Sequence, residues 1–140
     1  MDVTIELVLE GKMPKKGSAG AACFDAYAAE PVYLVPGRRR LVSLGFKVRV
    51  PEGYALLIQP RSSYTRRGLD VAVGTVDPDY RGVVMASITN NSSIPLDLEL
   101  GERIAQFRIV ETPEVTFQLG DVSKDETVRG DGGFGSTGSR

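Results

Sequence analysis

The segment Gln59–Tyr64 places one arginine and two serines next to a predicted helix start. The guanidinium of Arg61 and the hydroxyls of Ser62 and Ser63 are hydrogen-bond donors, and a helix start adds backbone N–H groups that lack partners within the helix. Such a set of donors suits an anionic ligand. An ordinary helix cap formed by Ser62 or Ser63 explains the same residues equally well. The segment therefore leaves an anion site and a structural cap as open alternatives.

Two acidic residues and one amide next to apolar segments are further candidates for chemistry. Asp77 follows an apolar strand and precedes Pro78, so it either projects into a cleft or forms a turn that joins two strands. Taken alone, the turn is favoured. Asp25 is a lone acid among apolar residues; burial of an unpaired carboxylate is costly, so it needs either a charged partner or a role beside metal-bound water. Gln106 lies in the segment Leu100–Gln106, which alone is best explained as a hairpin turn followed by a polar residue on an apolar strand.

The C-terminal stretch RGDGGFGSTGSR, residues 129–140, is rich in glycine. Gly130, Gly132 and Gly135 match the spacing G-x-G-x-x-G of dinucleotide-binding loops, but that fingerprint requires a strand before it and a helix after it. Here a polar segment precedes the glycines, and the chain given stops too soon for a helix. Composition alone therefore predicts a flexible tail that buries too little apolar surface to become ordered.

The composition excludes several classes of function. A net charge of −1 gives no electrostatic signature for nucleic acid or an anionic membrane as a partner. The absence of histidine and the presence of a single cysteine, Cys23, exclude an internal disulfide and any Ser-His-Asp or Cys-His nucleophile, and they argue against a zinc site. No signal-peptide pattern and no membrane-length apolar run are present. We therefore expect a soluble, cytoplasmic protein.

The elements that position these residues are predicted to be β-strands almost throughout. Short apolar runs are separated by turn signals, which is typical of a β-sandwich, jelly roll or barrel. One short helix is predicted at Ser62–Arg67. We expect a β body (1–110), an extended segment (111–128) and a glycine-rich mobile arm (129–140). The predicted strands are 3–9, 32–35, 40–50, 54–59, 71–76, 83–89, 94–98 and 103–110.

Five segments occur in a characteristic order along the chain: ACFD at 22–25, PRSS at 60–63, GTVDPDYRG at 74–82, GERIAQ at 101–106 and RGDGGFGSTG at 129–138. Together they resemble the five ordered motifs of the trimeric dUTPases, also called dUTP pyrophosphatases. The resemblance extends over nearly the whole chain, and its third and fifth motifs are highly specific.

The resemblance implies both a fold and a reaction. The implied fold is all-β, a distorted jelly roll or β-clip barrel, which assembles as a homotrimer with active sites shared between subunits. The implied reaction is the Mg²⁺-assisted attack of water on the α-phosphate of dUTP, which yields dUMP and pyrophosphate. This reaction lowers dUTP and supplies dUMP for thymidylate synthesis.

The resemblance also implies roles for individual residues. Asp77 orients and deprotonates the attacking water, and Asp25 contacts the hydration shell of Mg²⁺. Tyr80 packs against the deoxyribose, and Phe134 of the arm stacks on uracil. Uracil is otherwise read by main-chain groups of a hairpin around residues 71–75, with Val71, Gly74, Thr75 and Val76 as the nucleoside-binding residues. The phosphates are held by Arg61, Ser62, Ser63, Gln106, Arg129, Ser136 and Thr137.

Two alternatives remain open. The second motif continues with Ser63 and Tyr64 where the dUTPases commonly have glycine and leucine, and this version resembles the dCTP deaminases, which share the fold. Deaminases carry a catalytic glutamate at the position of Ser87, so the missing acid favours the dUTPase. The other alternative is a trimeric binding module without turnover, against which we count the joint presence of Asp77, Arg129 and Phe134.

Overall fold

The computed structural model of the chain describes residues 1–124 and 126–133. Within these residues the backbone forms twelve short strands, one α-helix and one 3₁₀ helix. The helix α1 spans Ser62–Arg66, and the 3₁₀ helix spans Val122–Lys124. The strands are β1 (Thr4–Leu7), β2 (Lys15–Lys16), β3 (Phe24–Tyr27), β4 (Val32–Leu34), β5 (Arg39–Ser43), β6 (Phe46–Arg49), β7 (Tyr54–Gln59), β8 (Leu69–Val71), β9 (Gly74–Val76), β10 (Met85–Asn90), β11 (Leu96–Leu98) and β12 (Arg103–Glu111).

The strands pair in four antiparallel sheets. The largest has five strands in the order β2-β3-β12-β7-β9, and the others have the orders β5-β10-β8, β1-β6 and β11-β4. The nine-residue strand β12 pairs with β3 on one side and with β7 on the other, so it forms the middle of the largest sheet. One cluster of buried side chains draws on all four sheets and includes Phe46, Leu56, Ile88, Leu98 and Ile104. The all-β architecture expected from the turn spacing is therefore confirmed.

Two predicted strands, 40–50 and 71–76, are each divided in the structure. The predicted strand 40–50 becomes β5 and β6, because the chain turns at Gly45, whose φ of 79° lies in the left-handed region. Glycine reaches this region without the steric penalty that a Cβ imposes. Conversely, β3 was not predicted as a strand, and the Lys15–Lys16 segment was predicted as part of a turn, although it forms β2. β3 pairs with β12, a segment distant in sequence that local patterns do not reveal, and the two-residue β2 pairs only with β3.

The hairpin expected around residues 71–75 is not present. The strand β8 pairs with β10, whereas β9 pairs with β7 in the largest sheet, so the connection between them crosses from one sheet to another. The amide of Ala72 donates to the carbonyl of Ser87 in β10 over 2.9 Å, which continues the β8–β10 pairing. The sequence VAVGTV at 71–76 contains no turn pair, so it gave no clear signal of this change of partner.

The chain beyond β12 exposes large apolar side chains. Val115, Phe117 and Leu119 alternate along the segment and are 62%, 92% and 106% exposed. Exposed apolar side chains that form a contiguous patch are typical of contact surfaces. No helix in the described part of the chain has the length and apolar composition that a membrane span requires.

The turn at Gly45 offers a direct test of its packing against Gly11 and Ala29. A Cβ on Gly45 would lie 2.5 Å from Cα of Gly11 and 3.0 Å from Cβ of Ala29, whereas a Cβ on Gly37, which has the same φ of 79°, would meet no atom within 4 Å. We expect Gly37→Ala to cost about 1–2 kcal/mol through backbone strain alone. Gly45→Ala should cost a further ~1–3 kcal/mol from the clash.

Urea denaturation at one fixed protein concentration measures both variants. Equal losses of unfolding free energy for the two variants would contradict the close contact between Gly11 and Gly45.

Candidate active site

An open cleft of about 820 Å³ lies where β3, α1 and β12 meet. Its walls carry the guanidinium groups of Arg61, Arg66 and Arg103. The lining residues are Gly17, Ser18, Ala21, Ala22, Cys23, Asp25, Pro60, Arg61, Ser62, Ser63, Thr65, Arg66, Arg103 and Gln106. The set includes the predicted phosphate-binding residues of the body and the predicted metal-side acid. The structure therefore brings together residues that the sequence placed in three separate motifs.

The register of β12 explains this convergence. Gln106 of β12 lies opposite Asp25 of β3 on one side and opposite Gln59 of β7 on the other. Three neighbouring strands thus contribute one row of polar residues at the same level of the sheet. The side-chain amide of Gln106 donates to the carbonyl of Pro60 over 3.0 Å, which fixes the amide next to the start of α1.

A β-bulge in β12 brings Arg103 to the same cleft. Arg103 pairs with Tyr27, but Ala105 pairs with Ala26, so β12 has one extra residue at this point. Ile104 and Ala105, at the site of the bulge, are consecutive and both fully buried. Residues three apart normally face opposite sides of a strand; the bulge shifts the alternation, so Arg103 and Gln106 both line the cleft.

Asp25 is the acidic centre of the cleft. Its side chain is only 13% exposed, and its two carboxylate oxygens face two guanidinium groups. Nε of Arg61 lies 3.6 Å from Oδ1, and Nη1 of Arg103 lies 3.4 Å from Oδ2. The expectation that Asp25 has a charged partner is confirmed, and the pairing offsets the cost of burying its charge.

No serine side chain caps the N-terminus of α1. Arg61 occupies the N-cap position with extended backbone, and no side chain caps the helix. The interpretation of Ser62 or Ser63 as the N-cap is therefore wrong; both lie inside the first turn, are exposed and line the cleft. Arg61 is fixed through its side chain, because Nη1 donates to the carbonyl of Arg103 over 2.8 Å.

The buried face of α1 consists of one residue, Tyr64. Its hydroxyl donates a short hydrogen bond to Oε2 of Glu102, in the turn before β12. Burial, together with this hydrogen bond and the nearby negative charge, raises the pKa of Tyr64 above its usual value. The hydroxyl therefore stays protonated, and remains a donor, throughout the neutral pH range.

The predicted catalytic base and sugar contact lie on another part of the surface. Asp77 follows β9 and is exposed, and its carbonyl accepts from the amide of Tyr80 over 3.2 Å in a tight turn. The phenol of Tyr80 donates to the carbonyl of Val83 over 2.8 Å, and its ring lies against Gly82, where a Cβ would be 2.4 Å from the hydroxyl oxygen. Neither Asp77 nor Tyr80 lines the cleft that contains Arg61.

The predicted nucleoside-binding residues divide by exposure. Val71 and Val76 are buried, at 2% and 7% exposure of the whole residue, so the single chain presents almost none of their surface to a ligand. Gly74 and Thr75 belong to β9, an edge strand of the largest sheet. An edge strand leaves a row of backbone N–H and C=O groups unpaired within its sheet.

The arm is described only as far as residue 133. The guanidinium of Arg129 donates to the carbonyl of Gly132, and the amide of Gly132 donates back to the carbonyl of Arg129 over 3.1 Å. These bonds form a local turn. The predictions for Phe134, Ser136 and Thr137 lie outside the described residues.

Arg66 and Arg103 line the cleft but were not predicted as site residues. Arg103 belongs to the recognised GERIAQ segment, yet its three-residue spacing from Gln106 indicates opposite faces of a regular strand. Arg66 lies one turn after Ser62 on α1, so helical spacing offered a signal for it once the helix was accepted.

The fold and the cleft define a class: an all-β protein with an arginine-lined site at the junction of three elements. The family model described as dUTPase matches residues 10–138. The deoxyuridine 5'-triphosphate nucleotidohydrolase of Chlamydia pneumoniae is 39% identical over 144 aligned positions, covering 99% of each chain. The enzyme of the same name from Yarrowia lipolytica is 42% identical, covering 91% of this chain and 82% of its own.

A solved structure shows the same likeness. The dUTPase of Staphylococcus bacteriophage 80alpha, determined with dUPNHPP, superposes with a TM-score of 0.84 at 25% identity, covering 98% of both chains. The chain belongs to the dUTPase family. The family resemblance and the fold predicted from the sequence are thus both confirmed.

Proposed function

We propose that this chain is a dUTP diphosphatase, which hydrolyses dUTP to dUMP and pyrophosphate and so supplies dUMP for thymidylate synthesis. The observation that carries the proposal is the convergence of Arg61, Ser62, Ser63 and Gln106 around Asp25 in one open cleft, in a chain that belongs to the dUTPase family. Guanidinium, hydroxyl and amide donors match the α- and β-phosphates of the substrate. Phosphoryl transfer requires mainly such positioning and charge stabilisation.

Mg²⁺ is the proposed cofactor, and the residues present fit it. Asp25 is the one acidic residue that lines the cleft, and the described residues contain no cluster of three or more potential metal ligands. Mg²⁺ typically keeps several waters and binds substrate phosphates with only one or two carboxylates. Asp25 would therefore hold it through water, and the bound ion would supply charge neutralisation on the phosphates.

Asp77 is the proposed general base. It follows β9 directly and is exposed, so its carboxylate is accessible to a water molecule. A carboxylate at this position can orient the water and accept its proton as the bond to the α-phosphorus forms. Pyrophosphate then leaves, while the guanidinium of Arg61 compensates the negative charge on the phosphates and the amide of Gln106 donates a hydrogen bond to them.

Tyr80 is the proposed selector of the sugar. The bond to Val83 and the contact with Gly82 hold its ring in one place on the surface. A 2′-hydroxyl packed against this ring would lose its hydrogen bonds to water without gaining new ones, so a ribonucleotide is disfavoured. The exposed edge of β9 next to it can read uracil through main-chain donors and acceptors.

A shared active site in a homotrimer is proposed because Asp77 and Arg61 are far apart in one chain. Val76 pairs with Leu56 of β7, and Arg61 lies five residues further along the chain. At ~3.3 Å per residue the separation is about 16 Å, too long for a water on Asp77 to reach a phosphate on Arg61. Where two subunits meet, Asp77 of one subunit would lie next to Arg61 of the other. The exposed Val115, Phe117 and Leu119 offer an apolar surface for contact between subunits.

The proposed active site also includes the glycine-rich arm, residues 129–140. Arg129, Phe134, Ser136 and Thr137 would close over the nucleotide, with Phe134 on the base and the others on the phosphates. The division of the chain into a body, an extended segment and this arm stays a prediction, as does the cytoplasmic location.

A dCTP deaminase is the second candidate, and the position of Ser87 disfavours it. Ser87 lies within β10, and its carbonyl accepts the amide of Ala72 at the start of the connection to β9. A hydroxyl cannot replace a carboxylate as the base that activates water for attack on cytosine.

Direct product analysis separates the candidates. With Mg²⁺ present, we expect the wild-type protein to release pyrophosphate from dUTP and no ammonia from dCTP. Ammonia from dCTP would replace this proposal with the deaminase, and the absence of both products would favour a binding module.

The role of Asp77 is tested by Asp77→Asn. The amide keeps the shape of the side chain but cannot accept the proton, so we expect kcat for dUTP to fall by about 10²–10⁴-fold. The dissociation constant for dUPNHPP and the sedimentation behaviour should match those of the wild type. A kcat near the wild-type value would remove Asp77 as the base.

The role of Tyr80 is tested by Tyr80→Ala. Loss of the ring should allow a 2′-hydroxyl to remain solvated, so the ratio of kcat/KM for dUTP to that for UTP should fall by about tenfold or more. An unchanged ratio would assign sugar selection to other residues.

A further inference from the structure

The helix α1 depends on a single buried side chain. It has five residues, no side-chain cap and one buried residue, Tyr64, which is 8% exposed. A helix of this length is not stable by itself and requires tertiary packing. The position of Ser62 and Ser63 in the cleft therefore depends on how Tyr64 is seated.

Glu102, in the turn before β12, holds Tyr64 through its carboxylate. One carboxylate oxygen, Oε2, accepts the Tyr64 hydroxyl, and the other, Oε1, accepts the amide of Glu99 over 3.1 Å. The amide of Glu102 in turn donates to the carbonyl of Glu99, which closes the turn between β11 and β12. Tyr64 is thus anchored to a turn whose own backbone is fixed by the same residue.

The ring of Tyr64 also lies beside two arginines. The guanidinium carbon of Arg61 is 5.4 Å from the ring centroid, and that of Arg67 is 4.9 Å from it. Both distances are within the range of a favourable cation–π contact. The same guanidinium of Arg61 bonds the carbonyl of Arg103, so Tyr64 and β12 hold it from two directions.

We propose that Tyr64, through its hydrogen bond to Glu102, is a positioning residue that presents Arg61 and the first turn of α1 to the phosphates of the substrate. The role rests on the proposed function, because it assigns the phosphates to this cleft. Tyr64 does not line the cleft, so it acts through Arg61 and the serines.

The test uses Tyr64→Phe, which retains the ring and removes only the anchoring hydroxyl. Loss of one hydrogen bond to a charged acceptor should weaken the binding of inorganic pyrophosphate, measured by calorimetry, by about tenfold. KM for dUTP should rise by a similar factor while kcat changes little, since the phosphate contacts are lost from ground state and transition state alike. Inhibition by deoxyuridine, which carries no phosphate, should be unchanged.

Two outcomes would overturn the proposal. Unchanged pyrophosphate affinity and KM would show that the hydroxyl does not position the cleft. Equal weakening of pyrophosphate and deoxyuridine would show a general loss of structure instead of a local role. Tyr54→Phe is the matched control: Tyr54 packs against the core from β7, away from the cleft, and its loss should leave pyrophosphate affinity unchanged.

A double-mutant cycle tests whether Tyr64 acts through Glu102. Glu102→Gln has one acceptor oxygen in place of two, so it cannot serve both Tyr64 and Glu99 as the carboxylate does. If the two residues act through one bond, the effects of Tyr64→Phe and Glu102→Gln on pyrophosphate affinity will overlap, and full additivity would overturn the assignment. Because pyrophosphate binding needs no turnover, failure of this proposal is distinguishable from a wild-type protein that does not hydrolyse dUTP.

Discussion

The pairing of β12 with both of its neighbours is the constraint on which the site depends. This strand sets the register of β3 on one side and β7 on the other, and it thereby brings Gln106, Asp25 and Gln59 to one level. A shift of one residue in either pairing would turn alternate side chains to the other face and disperse the cleft. The burial of Ile104, Ala105 and Phe107 resists such a shift, because the apolar side chains would then become exposed.

The bulge in β12 brings a second arginine, Arg103, to Asp25. Asp25 can be buried because two guanidinium groups reach it, and the second of them, on Arg103, arrives only because the alternation of β12 is interrupted. The resulting ion pairs lie between 3.4 and 3.6 Å, longer than a tight charge-assisted hydrogen bond. Under the proposed function, contacts of this length would let the arginines exchange Asp25 for the phosphate of a bound substrate.

The geometry is also consistent with a chemical role for the proposed trimer. The residues proposed to bind phosphate gather at the far end of β7, whereas the turn with Asp77 and Tyr80 follows the edge strand β9 outside the cleft. In the proposed trimer, the substrate spans both surfaces at a subunit boundary. Binding would then complete a site that no single chain contains, and the reaction would depend on assembly as well as on the local fold.

The strand content, the helix at residue 62 and the family itself could be predicted from sequence because each depends on local information. Turn residues and apolar runs mark strands, and the five motifs keep their order regardless of how the chain folds. The change of strand partner between β8 and β9 could not be predicted, since an apolar run has the same appearance whether it stays in one sheet or crosses to another. Nor could the strand β3, whose pairing partner lies about eighty residues away.

The sequence by itself determined which side chains are available for chemistry: carboxylates, arginines, hydroxyls and an amide, with no histidine. Only the tertiary structure decided which of them meet. Residues far apart in the chain form the two ion pairs of Asp25, with Arg61 and Arg103. The same holds for the hydrogen bond between Tyr64 and Glu102. These contacts form because burial of the apolar core fixes the register of β12, and short-range sequence patterns contain no record of that register.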